Sequence, residues 1–284
     1  MPPVKDLAIC VRHWDWSETS QTVSLLTAEH GILRGLAKGS RRERSPFSGG
    51  IELLTRGEAV FILKPSAGDV SPLATVTAWD LQEPFTSLRG RLDRLHAAMF
   101  LADLVHHALH DHDPHAGVFR SLDRSLGWLA DGRPWARVVL GFLWDLLSET
   151  GYRPEIWNDP RRGVVIEPRA VYLFSPRLGG LIAEGPGDSR TPSPGAAALA
   201  GEAGSGRAGD ETWKVRSDTV AVLRSVAAGS DWMDLEDASA DTRIPDDAVV
   251  RCTALLASYF RFIHRSWPAS IRWVLPDLAS RARP

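Results

Sequence analysis

The chain has very little cysteine, no surplus of positive charge and no long apolar run, and each absence removes a class of protein. Its 284 residues include two cysteines, Cys10 and Cys252. Their separation offers neither a disulfide framework nor a paired-cysteine metal motif. Each sits in an apolar segment, where it reads as a small core residue. The formal net charge is −2. A protein coated in cations is excluded, so any contact with nucleic acid must come from a local patch. No apolar run approaches the length of a membrane span. The opening residues Met1-Pro2-Pro3-Val4-Lys5-Asp6 do not resemble a secretory leader. A reducing cytoplasm is the expected location. There is no Walker-type phosphate loop and no GxSxG elbow, so ATP hydrolysis is not expected.

What is present is enough apolar residue for a packed core. Hydrophobic content is 44% and charged content 24%, which excludes disorder throughout. From about residue 4 to 80 the pattern is β. Leu7 to Val11 is a short apolar run, and Gln21 to Thr27 alternates as a strand should. Glu29-His30-Gly31 reads as a tight turn, after which Ile32 to Ala37 is extended again. Further strands are expected at residues 50–54, 59–63 and 73–79. Five or six short strands separated by turns point to a small closed barrel or sandwich.

The period changes after Glu83. Leu88, Leu92, Leu95, Met99, Ala102, His106 and Leu109 share one helical face. Val118 to Ala130 gives a second helix, and a third starts at Arg133-Pro134 and stops near Gly151. Residues 152–184 break the pattern. Turns at Arg161-Arg162-Gly163 and Arg177-Leu178-Gly179-Gly180 flank Val164-Val165-Ile166 and Val171-Tyr172-Leu173-Phe174, as in a small β module. Residues 185–210 are rich in Gly, Pro, Ser and Ala without periodicity and read as a flexible loop. Helical pattern is expected from Thr212 to Ala228 and from Pro245 to His264.

The order of several segments resembles the RecO family of recombination mediators. Thr22-Val23-Ser24-Leu25-Leu26-Thr27-Ala28-Glu29-His30-Gly31 is followed by Ala37-Lys38-Gly39-Ser40-Arg41-Arg42 and then Ser45-Pro46-Phe47. Gly151-Tyr152-Arg153-Pro154 and Phe174-Ser175-Pro176-Arg177-Leu178-Gly179-Gly180-Leu181 resemble the segments that flank a zinc ribbon in many members. Leu255-Leu256-Ala257-Ser258-Tyr259 and Arg265-Ser266 also fit. The departure is at the zinc ligands. The two CxxC pairs would fall at Asp159 and Arg162 and at Ala183 and Pro186, where no thiolate remains. Arg, Ala and Pro cannot ligate zinc, so no metal site is expected.

The resemblance implies an α+β protein. An N-terminal OB-fold β-barrel for DNA binding occupies 1–82. A mainly α-helical domain occupies 83–151 and 211–284, interrupted by a zinc-less β module at 152–184 and the loop at 185–210. It also implies a non-enzymatic, nucleoid-associated role in recombinational repair, with no cofactor. The implied partners are single- and double-stranded DNA, RecR, the single-strand-binding protein and, indirectly, RecA. The implied activities are strand annealing and help in loading RecA.

The candidate DNA-binding residues are Arg34, Lys38, Arg41, Arg42 and Arg44, in and beside a Gly- and Ser-containing loop between two barrel strands. Such a loop can neutralise phosphates. Its bland alternative is a solvated loop. Arg12 and Lys64 are weaker additions. Trp14 and Trp16 could stack bases, but tryptophans are more often packed, and the expectation is that they plug the barrel or cover its edge. His106, His107, His110, His112 and His115 are the one cluster that tempts a metal. No HExxH is formed, because His107 follows His106 without a general-base glutamate. The rival functions are a generic nucleic-acid-binding OB protein outside recombination and a metal-dependent enzyme built on residues 106–115. A weaker basic cluster, Arg261, Arg265, Arg272, Arg281 and Arg283, marks the C-terminal end, where helix dipoles alone favour cations.

Overall fold

A computed structural model describes residues 2–47, 49–63, 73–183, 212–229 and 245–281. The first five strands are β1 (Val4–Asp15), β2 (Gln21–Thr27), β3 (Ile32–Ala37), β4 (Arg56–Ile62) and β5 (Ala74–Glu83). The helices are α1 (Leu92–Ala108), α2 (Ala116–Ala130), α3 (Trp135–Glu149), α4 (Ser217–Ala227), α5 (Asp246–His264), α6 (Ile271–Val274) and α7 (Pro276–Arg281). Three further strands are β6 (Val171–Ser175), β7 (Gly180–Ile182) and β8 (Trp213–Arg216). Among the described residues no helix is long and apolar enough to cross a membrane.

The first five strands close into a barrel in the order β1-β2-β3-β5-β4. Every pair is antiparallel except β3 with β5. This is an OB-like barrel, as the resemblance implied. Its interior is lined by Cys10, Val23, Leu25, Leu33, Phe61 and Trp79, all essentially without solvent exposure. Each such side chain contributes roughly 1.5–3 kcal/mol on burial. Burial also pushes the Cys10 thiol up to about 12, so it stays protonated and inert.

The expected strand at residues 50–54 does not form. Ile51 lies in the barrel core, but its backbone N–H and C=O are both taken by the Gln21 side chain, at 3.0 and 3.1 Å. With both groups bonded to a side chain, the residue cannot join a ladder. Leu54 then turns the chain at φ 61°.

The described chain divides into two compact units, Met1–Trp135 with Pro268–Pro276, and Ala136–Trp267 with Asp277–Pro284. The first unit holds the barrel, α1, α2 and α6. The returning segment docks on α1: Trp273 stacks on His96 with centroids 5.1 Å apart, and Ile271 and Leu275 are buried. The turn before β3 is closed by Gly31 at φ +69°, where an added Cβ would run into the Asp113 backbone, so only glycine fits.

The second unit holds α3 from Ala136 onward, α4, α5 and a three-stranded sheet in the order β7-β6-β8. Two expectations fail here. Val164-Val165-Ile166 is not a strand and contributes only an isolated bridge, Asn158 with Val165. Residues 213–216 are a strand rather than the start of a helix, with Trp213 and Val215 buried and Lys214 and Arg216 exposed against β6. The helix itself begins at Ser217. The proposed loop at 185–210 lies outside the described residues.

At the position where the resemblance would put the first zinc ligand, this module is tied by a carboxylate. Asp159 has no solvent exposure. Its Oδ1 accepts from the Arg161 backbone N–H at 2.8 Å and from Arg161 Nε at 3.2 Å. Its Oδ2 accepts from Arg161 Nη2 at 2.9 Å and from the Ala183 N–H at 2.9 Å. Arg161 also donates to the Ala183 carbonyl at 2.8 Å. The first turn and the strand end that carry the ligand positions are thus joined by hydrogen bonds. The donors at Arg162 and Ala183 do not fit zinc, and both oxygens of Asp159 are already engaged.

Candidate nucleic-acid interface

Residues 38–50 leave β3 at one end of the barrel and are anchored from beneath. Phe47 is buried with the barrel core. Gln21 Oε1 accepts from Ser40 Oγ at 2.9 Å as well as from Ile51, and Ser20 Oγ accepts from the Gly39 N–H at 3.1 Å. The Trp79 N–H donates to the Pro46 carbonyl at 2.9 Å. Small buried residues inward and long cationic residues outward give a fixed ring of charge. Lys38, Arg41, Arg42 and Arg44 are all exposed. Arg41 pairs with Asp15 at 2.6 Å, and its N–H donates to the Thr19 carbonyl at 3.1 Å. That contact ties the loop to the β1–β2 hairpin. Lys38, Arg42 and Arg44 form no ion pair among the described residues. Lys64 lies outside the described residues.

Strand register sorts the other candidates. Asp15, Gln21 and Ala37 are cross-strand partners, as are His13, Val23 and Gly35, and Val23 and Ala37 of these rows lie in the barrel core, while Asp15 at the open strand end is exposed. The alternate rows face outward: Arg12–Ser24–Arg34 and Trp14–Thr22–Leu36. A bulge between Cys10 and Arg12 sets this phase.

The outward row nearest α1 is already occupied. Arg12 donates to Asp103 Oδ1 at 2.6 Å, and Asp103 Oδ2 accepts from Ser270 N and Oγ at 3.1 and 2.6 Å. Burial raises the Asp103 carboxyl, but the bonds from Ser270 and Arg12 outweigh it and hold the group below its ordinary value. Arg12 is therefore a tie between β1 and α1. Arg34 pairs with Asp111 at 3.0 Å while remaining half exposed.

The histidine cluster is dispersed. His106 is pushed down to about 4 by burial and then by the charges of Arg12 and Arg34, so it is neutral at pH 7. His107 Nδ1 bonds the Asp103 carbonyl, the His112 N–H bonds the Ile32 carbonyl, and His115 pairs with Asp113. Among the described residues no three His, Cys, Asp or Glu side chains are grouped to hold a metal ion.

The expectation that Trp14 and Trp16 are packed is overturned. They are 48% and 64% exposed. The reason is local: past Ile9, β1 no longer pairs with β4, so this end of the strand has only β2 beside it. The alternation Trp14, Trp16 was legible, but not which rows the helices cover. Gln21 was missed altogether, because a single Gln opening a strand carries no signal for a clamp.

Two of the C-terminal cations are engaged with aromatics. Arg261 lies 5.2 Å from the Trp267 ring and Arg272 4.7 Å from the Trp273 ring. Arg265 caps α5 at φ 56°. Arg283 lies outside the described residues.

Comparison with known proteins agrees with this architecture. The family model for the N-terminal part of recombination protein O matches residues 1–80, and that for its C-terminal part matches residues 89–216. The DNA repair protein RecO of Anaeromyxobacter sp. (strain K) is 31% identical over 193 residues, 67% of this chain and 74% of that protein. The DNA repair protein RecO of Rhodopirellula baltica is 34% identical over 148 residues, 52% of this chain and 53% of that protein, so the match spans about half of that relative. A third, from Dehalococcoides mccartyi (strain CBDB1), is 29% identical over 178 residues, 63% and 68% of the two chains.

Proposed function

The chain belongs to the RecO family, and from that premise we propose that it is a non-enzymatic recombination mediator that captures DNA on the cationic loop of its barrel. Membership supports a role in recombinational repair. The observation that carries the DNA-binding reading is the anchored loop, on which Lys38, Arg42 and Arg44 are exposed without an ion-pair partner among the described residues. Cations held in place without a protein counter-charge are available to displace counterions from phosphates. Arg41 and Arg34 extend the same surface, each at the cost of exchanging an aspartate for a phosphate. Arg12 is left out, because Asp103 holds it.

Annealing follows from the same chemistry. Two strands whose phosphates are neutralised together repel each other less. Single- and double-stranded DNA are both ligands for such a loop, and RecR, the single-strand-binding protein and RecA are the partners this family role entails. The protein acts on the nucleoid, in the cytoplasm.

The test is a DNA titration at several salt concentrations. The variant Lys38→Ala/Arg42→Ala/Arg44→Ala is expected to bind more weakly, with a salt slope shallower by up to about 2 units, from about 0.7 per single-strand phosphate contact. Equal affinity and slope would remove the loop from the interface. Retention on immobilised RecR and single-strand-binding protein separates a recombination mediator from a general nucleic-acid binder.

A further inference from the structure

We infer that Trp14 and Trp16 form a base-stacking platform that makes this interface select single-stranded over duplex DNA. The inference rests on the proposed DNA-binding reading and adds a group that the cationic loop does not supply.

The first observation is that the two rings are exposed and without a ring or cation contact among the described residues. Four tryptophans among the described residues are substantially exposed: Trp14, Trp16, Trp157 and Trp273. Trp157 is covered by the Arg224 guanidinium at 4.7 Å, and Trp273 by Arg272 at 4.7 Å and His96 at 5.1 Å. Trp14 and Trp16 have no such cover among the described residues. An exposed indole is a large apolar surface left in water, and two of them two residues apart make a patch that a planar ligand would cover.

The second observation is where the patch stands. The outward face of β1, β2 and β3 is one continuous surface with two ends. At one end Ile9, Leu26 and Ile32 are buried, and Arg12 is tied to α1. At the other end the row Trp14–Thr22–Leu36 is open, with Thr22 and Leu36 only half buried. Lys38 lies two residues beyond Leu36, just past the end of β3. The row crosses three strands, about 10 Å, so a strand of nucleic acid lying along it would run from the indoles to the cations.

The third observation is charge. Lys38, Arg42 and Arg44 stand beside the patch against the carboxylates Glu18 and Glu43, while Arg34 and Arg41 are paired with Asp111 and Asp15. Asp15 is already neutralised by Arg41. An apolar platform beside a surplus of cations fits a ligand with flat rings on an anionic backbone. A duplex offers the backbone but keeps its bases stacked on each other, so only a single strand can use both parts. The hydrogen bond from the Arg41 N–H to the Thr19 carbonyl links the loop to the hairpin that carries the indoles, with the exposed Asp15–Arg41 pair beside it.

The experiment compares four proteins: wild type, Trp14→Ala/Trp16→Ala, Trp14→Phe/Trp16→Phe and the loop variant Lys38→Ala/Arg42→Ala/Arg44→Ala. Each is titrated with an unstructured oligodeoxythymidylate and with a hairpin duplex at one salt concentration. Thermal melting is recorded for each protein. The alanine pair is expected to weaken single-strand binding by between about five- and 150-fold per ring lost, the range for a base stacked on an aromatic side chain. Duplex binding should stay within twofold of wild type. The phenylalanine pair should recover most of the loss, and iododeoxyuridine in the oligonucleotide should photocrosslink to the peptide containing Trp14 and Trp16. Unchanged single-strand affinity in the alanine pair, with binding lost in the loop variant, overturns the platform and leaves the cationic reading standing. An equal loss on both ligands also overturns it, since the rings would then confer no strand preference. Wild type that binds neither ligand removes the cationic reading and the platform together.

Discussion

Two loops of similar composition are held in opposite ways. The barrel loop after β3 is clamped by a neutral amide: Gln21 takes Ile51 N–H, Ile51 C=O and the Ser40 hydroxyl. The turn at residues 159–163 is clamped by an ion: Asp159 takes two backbone N–H groups and the Arg161 guanidinium. Both satisfy buried backbone groups that would otherwise be orphaned. They differ in what can undo them. A neutral clamp is indifferent to acid and leaves the charges of its loop free for a ligand. A charged clamp is stronger per bond, but it ends when its carboxylate is protonated, and its arginine is not free for anything else.

The largest effect is expected from breaking the charged clamp. Asp159→Asn replaces one accepting oxygen of a buried carboxylate with a donor, against the Arg161 guanidinium and the Ala183 N–H, and a loss of about 3 kcal/mol is expected, the upper range for hydrogen bonds to a charged group. Urea unfolding followed by a probe in the second unit measures it. The same contrast appears on acidification. The Arg161 hydrogen bond, with burial opposing it and the Ala183 and Arg161 N–H groups assisting, holds the Asp159 carboxyl well below its ordinary value. The folded state thus binds this proton more weakly than the unfolded chain does. Its stabilisation is complete above the unfolded value, about 3.9, and is lost as pH falls below that value. Between pH 7 and pH 3 the second unit should lose more stability than the barrel does, and Asp159→Asn should flatten that difference. A barrel that loses as much as the second unit would break the contrast.

A smaller effect is expected from the neutral clamp. Gln21→Leu leaves the Ile51 backbone and the Ser40 hydroxyl unsatisfied, at a cost of about 2 kcal/mol. That loss should be the same at pH 7 and pH 4. Limited proteolysis should also open the chain within residues 38–50. The smallest effect on stability, under about 1 kcal/mol, is expected from Asp15→Asn, because the Asp15–Arg41 pair is exposed. It frees Arg41, so affinity for DNA should rise or hold while stability barely moves. A fall in affinity would mean that the pair matters more as a hinge pin than as a competing charge.

How far the sequence reached differs along the chain. β2 and β3 were legible because alternation and the Glu29-His30-Gly31 turn act within a few residues. The long helices were legible from period, and α5 runs over the residues its apolar face marked. Residues 50–54 and 213–216 were misread for opposite reasons. The first look like a strand but lose their backbone groups to Gln21. The second alternate like a strand but adjoin a helix, and the β6 edge decided the matter. The cationic loop was found as a run of arginines. Sequence had no means of sorting Lys38, Arg42 and Arg44, which form no ion pair among the described residues, from Arg12, whose partner is 91 residues away.

The sequence by itself determined the order of barrel and helices, the absence of cysteine pairs and the position of the cationic loop, since all three depend on residue identity and short-range pattern. The tertiary structure alone decided which cations are paired, which tryptophans face water and what ties the turn at residues 159–163 to Ala183. Those outcomes depend on groups brought together by folding, as when Asp103 meets Arg12 and Ser270, or Asp159 meets Ala183. Hydrogen bonds and burial act over a few ångströms of space and take no account of distance along the chain.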